Sequence, residues 1–196
     1  MGGVRLQRPP SESLKIRWLR PCLLVIVSLP VLAQDPRYVN KLAPYVASPA
    51  RVVDRMLELA TIRPGETVYD LGSGDGRVLI AAVQKYKAKA VGVEISPKLV
   101  SDAKARIERA GISDQAHVIE GDLLKTDLTG ADVVIIYLAT SLNEELRPRL
   151  EKFLKPGARV ISHDYAVPGW KAAKTDYSLG AQKHRIYVYE MPPAKE

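Results

Sequence analysis

The stretch Val68-Tyr-Asp-Leu-Gly-Ser-Gly-Asp-Gly-Arg77 decides how this chain of 196 residues folds. Its first half consists of strand-forming residues, and its second half carries glycines at the alternate positions 72, 74 and 76, immediately before a run of helix-forming residues. A dinucleotide-binding turn of the G-x-G-x-x-G type would have its third glycine at position 77, where Arg77 stands. The stretch therefore predicts a strand, a tight glycine-rich turn and a helix. The turn does not have the glycine spacing that binds the pyrophosphate of a dinucleotide.

Outward from this turn, short β-branched runs alternate with longer segments whose apolar residues recur at helical spacing. Such alternation is typical of parallel strands joined by crossover helices. We therefore predict an α/β fold, a doubly wound, Rossmann-like, seven-stranded and mostly parallel sheet with a C-terminal antiparallel hairpin. The predicted strands cover residues 67–71, 90–95, 117–120, 132–138, 159–163, 175–179 and 184–190, and the predicted helices cover residues 49–62, 77–86, 97–110 and 142–154.

Three of the predicted helices begin after a serine that can accept a hydrogen bond from a backbone amide of the first turn. Ser48 is expected to cap the first helix, with Pro49 in the first helical position. Ser96 is expected to cap the third helix, and Ser141 with Glu144 has the spacing of a capping box for the fourth.

The basic charge of the chain is concentrated near its N-terminus. The formal net charge is +7, and five basic residues against Glu12 contribute +4 of it before residue 21. The remaining +3 is spread among interspersed acids, whereas a nucleic-acid groove needs a concentrated basic stripe. We therefore expect no nucleic-acid partner, and a monomer is favoured.

An uncharged apolar run from Pro21 to Ala33 follows the basic residues and is typical of a secretory leader. The run is short for a membrane-spanning helix, and Val31 and Ala33 are the small residues that a signal peptidase accepts. We expect residues 1–33 to be a signal peptide or membrane anchor that associates with a membrane through residues 14–33. The rest of the chain would then be exported or attached to the inner membrane. A mitochondrial or cytoplasmic location is the alternative if the leader does not serve export.

Three acidic residues stand at the ends of successive predicted strands. Open α/β sheets bind their ligands at the carboxyl ends of the strands, so these acids are expected to face one ligand. Asp70 offers a carboxylate to a cation, Glu94 can accept both hydroxyls of a ribose, and Asp122 can meet an adenine amino group. Because the turn lacks side chains at three alternate positions, a bulky ligand can lie directly on its backbone. A ligand that carries an ammonium and a sulfonium fits this arrangement better than a diphosphate does.

With these residues, the sequence resembles the class I S-adenosylmethionine-dependent methyltransferases over roughly residues 45 to 190. Within that class it is more similar to the mitochondrial lysine methyltransferases that modify the ATP synthase c-subunit and the adenine nucleotide translocase, and to their bacterial relatives. The motifs that carry this narrower resemblance are Tyr45-Val46 with Ser48-Pro49, VYDLGSGDGR from Val68, VGVEISPKLV from Val91, and PGARVISHDYAVPGW from Pro156.

The resemblance implies S-adenosylmethionine as the cofactor. It places the methionine part at the glycine-rich turn, the ribose at Glu94 and the adenine at Ile95 and Asp122, with Tyr45 and Ser48 closing over the cofactor. Residues 34–64 would then be an arm with an N-terminal lid helix, and residues 65–196 the cofactor-binding methyltransferase domain. The implied cofactor-binding residues are Tyr45, Ser48, Asp70, Gly72, Ser73, Gly74, Gly76, Glu94, Ile95 and Asp122.

The implied reaction is in-line displacement at the sulfonium methyl by a deprotonated amine, for which a protein lysine is the expected acceptor. A small-molecule acceptor and a non-catalytic sensor that binds S-adenosylmethionine are the alternatives. Tyr137-Leu-Ala-Thr140 stands where an enzyme acting on nucleic-acid bases or glutamine would carry Asn/Asp-Pro-Pro-Tyr/Phe, which argues against an adenine substrate.

The walls of the acceptor channel are expected at the ends of the fourth and fifth strands. His163 is the candidate base there, with structural hydrogen bonding as its alternative role. The three histidines of the chain share no metal-ligand spacing, so no metal is expected. The candidate catalytic residues are His163, Asp164, Tyr137 and Trp170, and the other candidate wall residues are Ala139, Thr140, Asn143 and Tyr165.

Overall fold

The structure, a computed structural model, describes residues 1–2, 45–178 and 182–196. The predicted leader and the first part of the predicted arm, residues 34–44, therefore lie outside the described residues, apart from positions 1 and 2. Within the described ranges, no helix has the length and apolar character needed to cross a membrane.

The described residues contain four helices and nine strands. Seven of the strands form one sheet, and the other two form a small separate pair. The helices are α1 (Ala50–Leu59), α2 (Arg77–Tyr86), α3 (Pro97–Arg109) and α4 (Thr140–Phe153). The strands are β1 (Thr67–Leu71), β2 (Lys89–Glu94), β3 (Ala116–Glu120), β4 (Val133–Ile136), β5 (Arg159–His163), β6 (Trp170–Lys171), β7 (Lys174–Ser178), β8 (His184–Glu190) and β9 (Ala194–Lys195).

The main sheet has the strand order β3-β2-β1-β4-β5-β8-β7. The first five strands of the chain pair in parallel, whereas β8 runs antiparallel between β5 and β7. The prediction of a seven-stranded, mostly parallel sheet with a closing antiparallel hairpin is therefore confirmed. The chain builds outward from β1 to β3 and then returns to β4 on the other side of β1. This reversal opens a crevice at the carboxyl ends of β1 and β4, where such sheets bind ligands.

Helices cover both faces of the sheet. The four residues of β4 are all buried, and alternate ones belong to different core clusters, so each face of this central strand contacts a separate hydrophobic core. On one face α1 packs against β4, β5 and β8 through Val52, Val53, Met56 and Leu57. The helix predicted as a lid is thus packed against the sheet, and the segment ahead of it, residues 45–48, is the part that reaches the glycine-rich turn.

The starts of two helices differ from the prediction. Helix α1 begins at Ala50 with Pro49 as its N-cap residue, so the expected cap at Ser48 with Pro49 in the first helical position is wrong. The Ser48 hydroxyl is hydrogen-bonded to His163 instead. Helix α4 begins at Thr140, since the carbonyl of Ala139 already accepts the amides of residues 142 and 143. Ser141 therefore lies inside the first turn, and the predicted capping box is wrong. The cap at Ser96 is confirmed, because its hydroxyl accepts the amide of Leu99.

Candidate active site

The glycine-rich turn lies between β1 and α2 and is fixed against β2. Gly72, Gly74 and Gly76 all have positive φ angles of 52° to 87°, a conformation that strains other residues. The amides of Gly72 and Ser73 donate to the carbonyl of Val93 at 2.8 and 3.0 Å. Within the turn, Gly72 is exposed at the crevice, whereas Ser73, Gly74 and Gly76 are buried.

Glu94 ends β2 and is hydrogen-bonded to the same turn. Its side chain is buried, and one carboxylate oxygen accepts the amide of Gly74 at 2.9 Å while the other accepts the amide of Ser96, also at 2.9 Å. Each carboxylate oxygen has two lone pairs, so both oxygens retain capacity for a ligand hydroxyl. The residue predicted to hold the ribose therefore also holds the turn and the start of α3.

Asp70 ends β1 and is buried beneath the turn. Burial, together with the negative charges of Glu94 and Asp75, raises the pKa of Asp70 to about 7. A cation next to this carboxylate would offset both effects. The ammonium of an amino-acid ligand supplies that cation, so the buried acid fits the role predicted for it.

One cavity brings together five of the ten predicted cofactor residues, whereas Gly74, Gly76, Glu94, Ile95 and Asp122 do not line it. It lies between the segment ahead of α1, the glycine-rich turn and the end of β4. The Tyr45 ring lies directly on the turn, and a side-chain carbon added at Gly74 would collide with it. Among the residues lining the cavity are Tyr45, Ser48, Asp70, Gly72, Ser73 and Tyr137.

The two predicted adenine residues lie to one side of this cavity. Ile95 directly follows β2 and is half-buried. Asp122 follows β3, where its carboxylate accepts the amide of Leu124 at 3.0 Å. The amide of Gly121 donates to the Glu94 carbonyl, which keeps this turn beside the end of β2.

Asp75 and two arginines hold the N-terminal segment over the turn. Arg77 donates to the Asp75 carboxylate at 2.9 Å and to the carbonyl of Ser48 at 2.8 Å, and Arg106 forms a second ion pair with Asp75. The Asp75 carboxylate also accepts the amide of Arg77, although Gly76 is the residue at the helix N-cap. No local sequence pattern indicates this ionic link, because Arg106 lies 31 residues from Asp75.

The end of β5 carries a buried cluster of polar groups. His163 Nδ1 lies 2.9 Å from the Ser48 hydroxyl, and its Nε2 lies 3.0 Å from Nδ1 of His184. Asp164 Oδ2 is 2.9 Å from the same His184 nitrogen. Burial, opposed by the charge of Asp164 and assisted by His184, lowers the pKa of His163 to about 4, so the imidazole is neutral at physiological pH. His184 was placed by sequence in a strand without a function, since nothing in the chain order reveals its contact with β5.

Two aromatic rings adjoin this cluster at the ends of β4 and β5. The Tyr137 ring stacks on His163 with the ring centroids 3.8 Å apart, and the Tyr165 ring lies 6.1 Å from that of Tyr137. Burial, followed by the charge of Asp164, raises the pKa of Tyr137, so its phenol stays protonated. Tyr137 also lines the cavity at the glycine-rich turn, which places these rings next to the cofactor residues.

Two predicted wall residues have other roles in the structure. Trp170 is only 1% exposed, packs edge-on against Tyr189, and donates its indole N–H to Glu151 at 2.7 Å. Asn143 is fully buried and donates to the carbonyls of Tyr165 and Ala166 at 3.2 and 3.3 Å. Trp170 therefore belongs to the core and Asn143 shapes the loop after β5, whereas Ala139 and Thr140 are exposed at the start of α4.

The sheet order, the bare glycine-rich turn and the acid at the end of β2 together define an S-adenosylmethionine-dependent methyltransferase. Residues 70–174 match the model of the ANTKMT methyltransferase domain, and the chain belongs to this family. S-Adenosylmethionine is accordingly its cofactor, and the buried Asp70 and the three glycines of the turn fit that molecule.

Named relatives and solved structures are similar over most of the described chain. A protein-lysine N-methyltransferase of Saccharolobus islandicus (strain REY15A) is 43% identical over 74% of this chain and 92% of its own length. The adenine nucleotide translocase lysine N-methyltransferase of Mus musculus is 37% identical over 76% of this chain but only 63% of its own length. The crystal structure of an RNA methyltransferase from Salinibacter ruber in complex with S-adenosyl-L-homocysteine is 41% identical, with a TM-score of 0.69, over 73% of this chain and 93% of that one.

We expect the affinity for S-adenosylmethionine to fall as the pH falls through about 7, the pKa of Asp70. Only the ionised carboxylate pairs with the ammonium of the ligand, so protonation competes with binding. Between about pH 7.5 and about pH 5.5 the dissociation constant should rise on the order of twentyfold. Isothermal calorimetry across this range measures it. Asp70→Asn should bind weakly at every pH, with a flat profile, and an unchanged affinity of the native protein at both pH values would contradict the role of Asp70.

Proposed function

We propose that this methyltransferase transfers its methyl group to the ε-amine of a protein lysine. The observation that carries the proposal is the aromatic acceptor side formed by Tyr137 and Tyr165 at the edge of the cofactor cavity. A lysine side chain has a long aliphatic stem that packs on aromatic faces. The relatives named as protein-lysine methyltransferases support the same acceptor.

The bound cofactor supplies an electrophilic methyl group on a sulfonium. The chain's contribution is to hold the amine in line with that methyl group and to exclude water, because positioning supplies much of the rate in such a transfer. The glycine-rich turn and Glu94 fix one partner, and the ends of β4 and β5 line the approach of the other. Tyr45, lying on the turn, covers the cavity from the N-terminal side.

A lysine must lose its proton before it attacks. Desolvation against the rings of Tyr137 and Tyr165 lowers the pKa of an amine held there, which provides the neutral form without a dedicated base. His163 is poorly suited to act as that base, since its Nδ1 is engaged by Ser48 and its Nε2 by His184. We therefore assign His163 a positioning role, in which it supports the Tyr137 ring.

RNA is the second candidate acceptor, because the similar protein from Salinibacter ruber is titled an RNA methyltransferase. The charges of the described residues favour a protein acceptor instead. Lys85, in the last turn of α2, is paired with Asp54 at 2.5 Å, and Lys98 is paired with Asp102 at 2.6 Å. Paired lysines of this kind do not provide the concentrated basic stripe that a nucleic-acid groove requires.

Transfer of a labelled methyl group distinguishes these acceptors. The full chain is incubated with S-adenosylmethionine that carries a tritiated methyl group, together with a cell extract, and the product is treated with protease or with ribonuclease. We expect label in protease-sensitive, ribonuclease-resistant material, and methylated lysine after acid hydrolysis. A Glu94→Ala variant serves as the inactive control. Label in ribonuclease-sensitive material, or only in small molecules, would overturn the lysine assignment.

A further inference from the structure

Three donor atoms converge at the junction of β5 and β8. His163 Nε2, His184 Nδ1 and Asp164 Oδ2 are separated from one another by 2.9, 3.0 and 3.3 Å. We propose that these three atoms bind a divalent first-row transition-metal ion, with the remaining coordination positions open to water. None of these distances depends on which acceptor the enzyme methylates.

The spacing of the donors fits such an ion. Imidazole nitrogens and carboxylate oxygens bind zinc at about 2.0–2.2 Å, and donors at that radius are about 3.3 Å apart in a tetrahedron and about 3.0 Å apart in an octahedron. The three observed separations lie within or next to this range. A set of two imidazoles and one carboxylate suits zinc or ferrous iron, whereas magnesium and calcium prefer oxygen ligands alone.

The backbone holds Asp164 in a position that serves this geometry. Its φ angle of 59° is left-handed, and its amide donates to the carbonyl of Arg185 at 2.7 Å. In return, Oδ1 of Asp164 accepts the amide of Arg185 at 2.8 Å, which leaves Oδ2 directed at the two ring nitrogens. A metal-ligating carboxylate is typically oriented by such a second hydrogen bond.

Ser48 orients the first imidazole in the same way. With the Ser48 hydroxyl oxygen 2.9 Å from Nδ1, the ring can donate its single proton there and present the lone pair of Nε2 to the cluster. Nε2 of His163 and Oδ2 of Asp164 then face each other at 3.3 Å with no proton between them. A bound cation removes this repulsion between lone pairs. The single N–H of His184 cannot donate fully to both Nε2 of His163 and Oδ2 of Asp164.

The site joins parts of the chain that are far apart in sequence. His163 ends β5, where it lies opposite Ile186, and His184 begins β8. His163 contacts both Ser48 and the Tyr137 ring. An ion bound to His163 would therefore fix residues 45–48, which lie over the glycine-rich turn, relative to the aromatic acceptor side. Its expected role is therefore to stabilise the active-site end of the sheet.

Metal titration of the full chain, produced without a polyhistidine tag and stripped with a chelator, tests the proposal. We expect one equivalent of Zn²⁺ to bind, Co²⁺ to give the visible absorption of a nitrogen- and oxygen-ligated ion, and Zn²⁺ to raise the melting temperature. Asp164→Asn and His184→Gln should each weaken Zn²⁺ binding by about 100-fold or more, and Ser48→Ala by about tenfold. His117→Gln, which changes an exposed histidine on β3, is the matched control and should bind as the native chain does.

The melting temperatures of the stripped variants show whether each one is folded. If a substitution unfolds the chain, the intact protein still decides the question through its stoichiometry and Co²⁺ spectrum. Absence of binding by the native chain would overturn the proposal, as would equal binding by a folded Asp164→Asn variant. Preference for Mg²⁺ over Zn²⁺ would also overturn it. None of these measurements depends on the methyl acceptor. A negative result would therefore overturn the metal site without affecting the proposed function.

Discussion

Glu94→Ala should weaken the binding of S-adenosylmethionine by roughly 100-fold, since two hydrogen bonds to a charged group contribute about 1.5 kcal/mol each and 1.4 kcal/mol corresponds to a factor of ten. The substitution removes the expected acceptor of the ribose hydroxyls. It also leaves the amides of Gly74 and Ser96 without their partner, so the turn on which the cofactor lies loses its support. Isothermal calorimetry with S-adenosylmethionine and with S-adenosylhomocysteine measures the loss.

Glu120→Ala is the matched control for this experiment. Glu120 lies opposite Glu94 in the register of β2 and β3, but it is exposed and ends a different strand. Its removal should leave the affinity within about twofold of the native value, as expected for a surface charge. If Glu94→Ala bound the cofactor with native affinity, Glu94 would have to be removed from the binding site.

Gly92→Ala should lower the free energy of unfolding by about 3 kcal/mol, the upper part of the usual range for overpacking a core. Gly92 lies in β2 beside the glycine-rich turn. A Cβ atom at this position would lie 2.6 Å from the Ser73 hydroxyl oxygen, 2.7 Å from Cδ1 of Leu79 and 2.8 Å from Cβ of Ser73. The collision involves both the turn and α2, so we expect cofactor binding to weaken together with stability.

Urea denaturation of the cofactor-free protein measures the change in stability. Gly121→Ala is the control, because a Cβ there would meet only Cγ2 of Ile119, at an ordinary distance of 3.8 Å. We expect the control to unfold within about 0.5 kcal/mol of the native chain, as surface substitutions usually do. Equal midpoints for the two variants would show that the turn can move away from β2 at little cost.

The parts of the fold that follow from local sequence were predictable. The bounds of β1, α2, β5 and β8 agree with the prediction residue by residue, because each element is delimited by adjacent turn residues or by an abrupt change of periodicity. The helix starts at α1 and α4 were not predictable. At α1 the hydroxyl of Ser48 has a partner 115 residues away, and no local pattern reveals that competition. The short pair β6 and β9 likewise depends on a contact between distant segments.

The residues of the candidate site show the same difference between local and long-range contacts. The three glycines of the turn, Asp70 and Glu94 could be proposed from sequence because each lies at the carboxyl end of a predicted strand or in the turn that follows it. His184 could not be, since it meets Asp164 only through the antiparallel pairing of β8 with β5. Gly92 did leave a signal, because an isolated glycine inside a strand often marks a close approach of neighbouring atoms.

The position of β8 has a consequence for how the enzyme is made in the cell. This strand, residues 184–190, lies inside the sheet with β5 on one side and β7 on the other, although it is synthesised after both of them. A nascent chain that has emerged only as far as β5 presents that strand as an open edge, ready to pair with other chains. The sheet can close only after residue 190 has left the ribosome. Nonsense or frameshift changes between β5 and β8 should therefore yield aggregated protein, not a shortened active enzyme.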